Sequence, residues 1–314
     1  MAPSGDSAPA AAATASAAGG AVPWECPLTT RADRGKDGQL DVAAAPAPWA
    51  LKIKRSFALP IWPTAKTLPA LRQHLTSNFD RADFLEAGVG IVILVQYESS
   101  PAGPYDELLL MPGAFAPQPG PRRTTLSASG AATTPAAPAA ASTAVTVVRK
   151  GELMADRRIT RIYVSTEHSV RNGRRNWGIR KELADFEWTE RRGWFTTETH
   201  VVVRDRLTQT VMLDATFKSL RVAVPAPLAV FGRMVPAMVE RRIDEEGRPL
   251  GDNEWLRTHI GGFGWARPSW LASVRQTPGG DGLFPHLPAI GAGVGAGMSG
   301  MLVFGAPETL LPAQ

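Results

Sequence analysis

Strand follows strand along this chain, with little room between them for crossover helices. The clearest is Val89 to Tyr97, a β-branched run stopped by Ser99-Ser100-Pro101. At Trp49 to Phe57, apolar Leu51, Ile53 and Phe57 alternate with Lys52, Lys54 and Ser56, the pattern of a half-buried strand. Further strands are predicted over Asp106 to Met111 (ended by Pro112-Gly113), Arg158 to Thr166, Phe186 to Thr189, Trp194 to Arg204, Thr210 to Phe217 and Gly300 to Phe304. Helix is expected only over Leu68 to Leu75, where Leu68, Leu71 and Leu75 share a face and Pro69 fits the first turn, and as a turn from Glu167 to Arg175 ended near Gly173. Phe231 to Ala296, rich in Gly, Pro and Trp, reads as looser chain. Such an order predicts a mainly β fold with minor α, an antiparallel barrel or sandwich and not a doubly wound sheet.

Two stretches of the 314 residues bury too little apolar area to offset the entropy of ordering them. One is the Ala-, Ser-, Pro- and Gly-rich segment 1–45, expected to be disordered; the other is a low-complexity Ala/Pro/Thr insert at about 116–144. The remainder, 46–314, suffices for one domain with a single core. The net charge of +5 reads as scattered Arg, and the densest basic cluster, Arg171 to Lys181, is no nucleic-acid stripe. Cys26 is the single cysteine, so no intramolecular disulfide forms, and no secretory signal is visible; a cytoplasmic location is expected. The longest apolar run, Gly88 to Val95, is too short for a membrane span. His74, His168, His200, His259 and His286 are dispersed without ligand spacing, so neither a metal nor a cofactor is expected. No Gly-x-Ser-x-Gly elbow occurs. Gly291 to Gly297 imitates a dinucleotide loop, but a strand follows it, and it reads as a surface loop.

Two segments carry more. Ser99-Ser-Pro-Ala-Gly-Pro-Tyr-Asp-Glu-Leu-Leu-Leu ends one strand and begins another, and Asn172-Gly-Arg-Arg-Asn-Trp-Gly-Ile-Arg-Lys-Glu-Leu-Ala follows the strand Ile159 to Ser165. Together they resemble acetoacetate decarboxylase-like proteins, in particular eukaryotic and fungal members, over about Trp49 to Phe217 and more loosely to Pro312. The resemblance implies a closed antiparallel β-barrel with a central cavity, and self-association is common in such proteins. Gly173 and Arg174 match the family's Gly-Arg-Glu start, and Lys181 falls at its reactive lysine. Gly103, Tyr105 and Glu107 match its Gly-x-Tyr-x-Glu turn. For the family's early-strand arginine, Lys52, Lys54 and Arg55 compete. Arg180, Glu182 and Arg175 stand where the family has proline, a second lysine and glutamate. On a strand, Glu182 would face away from Lys181.

The implied chemistry is a Schiff-base lyase acting on a β-keto acid or related carbonyl compound. A protonated imine accepts the electrons that decarboxylation releases, and forming it requires a neutral amine. A free lysine is only about one part in 2,500 neutral at pH 7, so burial has to favour the neutral form. Lys181 and Glu107 are the candidate catalytic residues, the second orienting substrate or moving protons. Arg174, Tyr105 and Trp177 are the candidate substrate contacts; a barrel-end ion pair is the competing role for Arg174, and packing for the two aromatics. Trp255, Trp265 and Trp270 are expected to anchor the C-terminal section onto the barrel. The alternative is a non-catalytic barrel that binds a lipid or another apolar ligand.

Overall fold

The computed structural model describes residues 42–116, 156–226, 238–250, 254–275 and 280–310. The low-complexity start and the Ala/Pro/Thr insert therefore lie outside the described residues, apart from 42–45 and Ala116. Packing begins slightly before Pro48: Ala45 is buried, and its N–H donates to Asn172 Oδ1 at 2.8 Å.

The chain runs β1 (Trp49–Ile61), α1 (Leu68–Gln73), α2 (Asn78–Asp83), β2 (Gly90–Ser99), β3 (Tyr105–Met111), β4 (Arg161–Val164), α3 (Glu167–Trp177), β5 (Glu182–Arg192), β6 (Thr196–Asp205) and β7 (Val211–Leu220). It continues with β8 (Val224–Ala226), β9 (Met238–Arg241), β10 (Trp255–Thr258), β11 (Ile260–Arg275), β12 (Val294–Phe304) and β13 (Glu308–Leu310). Nine strands, in the order β12-β1-β2-β3-β4-β5-β6-β7-β11, form a ring that pairing of β11 with β12 closes. Closure leaves no free edge along the wall. β8 pairs beside β11, and β9, β10 and β13 make a separate small sheet. The ring is antiparallel except between β4 and β5, where Tyr163 lies opposite Glu182 in parallel register. A parallel pair needs a crossover, and α3 supplies it.

Alternate residues face opposite sides of the wall. The inner row is apolar through the middle of the barrel: Phe57 and Leu59 of β1, Leu94 of β2, Leu108 of β3, Val201 of β6 and Phe217 of β7, with the Phe57 and Phe217 rings stacked at 4.4 Å. Large side chains fill the middle of the barrel, so the space inside it lies toward one end, where Phe57 lines a cavity of about 420 Å³. A second apolar layer covers the outside of β2, β3 and β4, where Val95, Leu109 and Val164 meet Val170 and Trp177 of α3.

Several boundaries differ from expectation for identifiable reasons. α3 runs through Gly173 and stops at Gly178, which takes the left-handed conformation (φ 68°) that ends helices. β11 and β12 cross the region that read as loose chain. At their crossing, a Cβ on Gly300 would stand 2.4 Å from Gly264 Cα, so these glycines permit strand contact and are not breaks. The run Gly291 to Gly297 is likewise no surface loop: Gly291 caps a short 3-10 turn (Leu287–Ile290), and β12 begins at Val294. Of the three C-terminal tryptophans, Trp255 anchors. Its ring lies 4.4 Å from the buried Arg158 guanidinium, which also reaches Asp83 at 2.7 Å. Trp265 stays 48% exposed and Trp270 half-buried, so these two do not.

Candidate active site

The site is built on the turn between α3 and β5. Thr166 caps the start of α3, its hydroxyl accepting the Ser169 N–H at 3.3 Å. At the far end, Gly178 N–H donates to Arg174 O and Ile179 N–H to Gly173 O, which turns the chain back along the helix. Lys181 then lays its side chain across α3 at Gly173. A Cβ there would stand 2.7 Å from Lys181 Cε and 2.8 Å from Cδ, so Gly173 forms the groove that holds the lysine. Gly173→Ala keeps a good helix former but displaces the lysine stem. The expected result is a folded protein whose Lys181 has lost its reactivity, checked by circular dichroism beside amine labelling; unchanged labelling would remove the groove from the account.

Lys181 Nζ lies 2.8 Å from Glu107 Oε2 and 3.0 Å from Ser169 Oγ. Both charged residues are only 3% exposed. Tyr105 and Tyr97 sit opposite each other on β3 and β2, their rings 4.8 Å apart, and both phenols hydrogen-bond Glu107. Burial, followed by the negative charge of Glu107, pushes both phenols well above their ordinary ionisation range, so they serve as hydrogen-bond donors. The Lys181 nitrogen also lies 5.1 Å from the centre of the Tyr105 ring.

The structure thus brings Lys181, Glu107 and Tyr105 together, but not inside the barrel. Glu107 shares its row on β3 with Leu109 and Met111, on the side that α3 covers, while Leu108 and Leu110 point into the barrel. The pair sits between wall and helix. Tyr97 and Tyr105 also line a hollow of about 530 Å³ at the β2–β3 turn, with Pro104 and Ser165, and so stand between Glu107 and the surface.

Other candidates fall elsewhere. Arg174 is buried and donates to the Lys181 carbonyl (2.8 Å) and the Glu245 carbonyl (3.1 Å); it fixes the backbone of the site. Trp177 packs edge-on to Trp49 at 4.9 Å and donates to Gly305 O at 3.0 Å, a packing role. Arg175 is paired with Glu245 at the surface. Among the competing early-strand cations, Lys52 pairs with exposed Glu98, and Arg55 lies 2.9 Å from Glu190. Arg55 sits opposite Gln96 and Gln96 opposite Asp106, one residue and therefore one face away from Glu107. Glu182 lies in the field of Arg161, Arg174 and Asp205; burial raises its carboxyl, and the two arginines oppose that rise.

Ser169 and Tyr97 belong to the site without having been singled out in the sequence. The signal for Ser169 is its spacing, four residues before Gly173 on the same helix face. For Tyr97 it is the short turn that sets it opposite Tyr105. Among the described residues no group of three or more His, Cys, Asp or Glu is placed to hold a metal, and no helix is long and apolar enough to cross a membrane.

No family model and no curated protein matches this chain. Among solved structures it is similar to acetoacetate decarboxylase from Legionella pneumophila (12% identity, 85% of this chain and 88% of that chain, TM-score 0.49). It is similar to another acetoacetate decarboxylase (12% identity, 88% and 98%, TM-score 0.48). It is also similar to the enduracididine biosynthesis enzyme MppR complexed with pyruvate (11% identity, 88% and 92%, TM-score 0.45).

Proposed function

We propose that this chain condenses Lys181 with a small carbonyl compound and decarboxylates a β-keto acid through the resulting imine. The observation that carries the reading is the buried contact of 2.8 Å between Lys181 Nζ and Glu107 Oε2. The amine reacts in its neutral form, and Glu107 is within reach to accept the proton that the ammonium gives up. The amine then attacks the keto carbon. The carbonyl oxygen leaves as water, taking one proton from nitrogen and one from protonated Glu107, so an iminium and a carboxylate remain. Breakage of the bond to the carboxyl group sends its electron pair into the iminium, releasing CO₂ and an enamine. A proton from solvent at the enamine carbon restores the iminium, and water releases the ketone. Ser169 holds the nitrogen at 3.0 Å, and the two phenols orient Glu107. A lipid-binding barrel is the weaker reading, because apolar side chains fill the middle of the barrel and the cavity at its end is lined mainly by charged and hydroxyl groups.

Borohydride reduction in the presence of a panel of β-keto acids is expected to leave a mass adduct on Lys181, with CO₂ released in unreduced controls. Wild-type protein that gives neither adduct nor CO₂ would refute the reading for the compounds tried.

A further inference from the structure

The inner rows of the barrel change character at one end. On β5 the phase that places Phe186 and Trp188 inside continues to Glu190 and Arg192. On β6 the row of Val201 and Val203 extends back to Thr199 and Thr197, and on β7 that of Ala215 and Phe217 reaches Ser219. β1 contributes Arg55 two residues before Phe57, and β11 contributes Ser269 and Arg267 two and four residues before Leu271. The side-chain period of two therefore turns an apolar interior into a polar, cationic mouth.

A cavity of about 420 Å³ occupies this mouth. Its charged lining is Lys54, Arg55, Arg192, Arg221 and Arg267 against Glu190 alone, five cations to one anion and an excess of four. Glu190 is already engaged, with Arg192 Nε at 2.8 Å and Arg55 Nη1 at 2.9 Å. Asp106, on the inner row of β3, accepts from the Trp188 indole at 3.1 Å. Arg221 donates to the carbonyls of Gly193 and Trp194, and among the described residues the Arg267 guanidinium makes no ion pair. Ser219, Thr197 and Thr199 bring hydroxyls to the lining. Ser219 and Ser269 share a 2.6 Å hydrogen bond, and a Cβ on Gly297 would stand 2.7 Å from Ser269 Oγ, filling the space above the two hydroxyls.

We propose that the barrel mouth binds a small oxyanion carrying two or more negative charges, held by Arg267, Arg221 and Arg55 over the Ser219 and Thr199 hydroxyls. A concave site lined by one sign of charge concentrates counter-charge, and guanidinium forks match carboxylate and phosphate oxygens equally well. The site lies on the opposite side of the wall from Lys181 and does not depend on the Schiff-base reading.

Calorimetric titration of the full chain at low ionic strength, with citrate and pyrophosphate as probes, tests it. Saturable one-site binding is expected for at least one probe, and the one bound more tightly identifies a carboxylate or a phosphate ligand. Removing charge with Arg267→Gln, alone and with Arg221→Gln, is expected to weaken binding about tenfold per arginine, while Arg248→Gln, which removes an exposed cation that does not line the cavity, leaves it unchanged. Unfolding midpoints identify any arginine variant that fails to fold; Thr199→Val, which keeps every charge, then serves as the second probe and should also weaken binding. Absence of saturable binding by both probes, or equal affinity in the double arginine variant, overturns the proposal.

Discussion

Lys181→Met is expected to destabilise the protein by about 3–5 kcal/mol, because it leaves Glu107 as an uncompensated buried charge. The lysine nitrogen supplies the only cation within hydrogen-bond reach of Glu107 among the described residues, at 2.8 Å; the remaining partners, Tyr97 and Tyr105, are neutral donors. Adding Glu107→Gln removes the stranded charge, and the double variant should regain most of the loss. Urea unfolding of the two single variants and the double variant closes the cycle and gives the coupling between the two residues. The keto-acid adduct should vanish in every variant that lacks the amine, including the restabilised double variant, which separates loss of chemistry from loss of fold. A single Lys181→Met variant within about 1 kcal/mol of wild type would mean that the pair does not hold a buried charge at all.

The members of this pair are legible in the chain; their location is not. The Tyr105-Asp106-Glu107 corner and the Gly173-Arg174 start point to Glu107 and Lys181, which stand 2.8 Å apart in the fold. Which side of a barrel wall a residue occupies depends on register, however, and one position separates Glu107 on the covered outer face from Leu108 in the core. Strands with β-branched alternation, such as β2, announce themselves. β11 does not, because Gly261, Gly262, Gly264 and Pro268 carry the composition of a loop while serving close strand contact, as at Gly264 and Gly300. Gly173 misleads in the same way: a glycine in a helix reads as a stop until the side chain that crosses it is known. Arg174 matches a motif yet is consumed by two backbone carbonyls, a role that no spacing rule foretells.

Outside the site, Glu240→Gln is expected to stabilise the protein at neutral pH and to flatten its pH dependence. Glu240 is buried on β9 and accepts the Ile159 N–H at 2.6 Å. Burial raises its carboxyl from 4.5 to about 8, reinforced by Asp80 and opposed by the Ile159 N–H, Arg158 and Arg180. Below the unfolded value the group is protonated in both states and contributes no pH dependence. As pH rises from there toward about 8, the unfolded chain ionises and the folded chain does not. Folding then takes up a proton, and stability falls by about 1.4 kcal/mol per pH unit, on the order of 3 kcal/mol by pH 7. Glutamine retains the acceptor for Ile159 and never ionises, so Glu240→Gln should recover about 2 kcal/mol at pH 7, the rest being lost to its buried amide hydrogens. At pH 4 the gain should disappear. Unfolding free energies of both proteins between pH 4 and 8 test this directly: a difference that stays constant across the range would show that Glu240 titrates as an ordinary surface carboxylate.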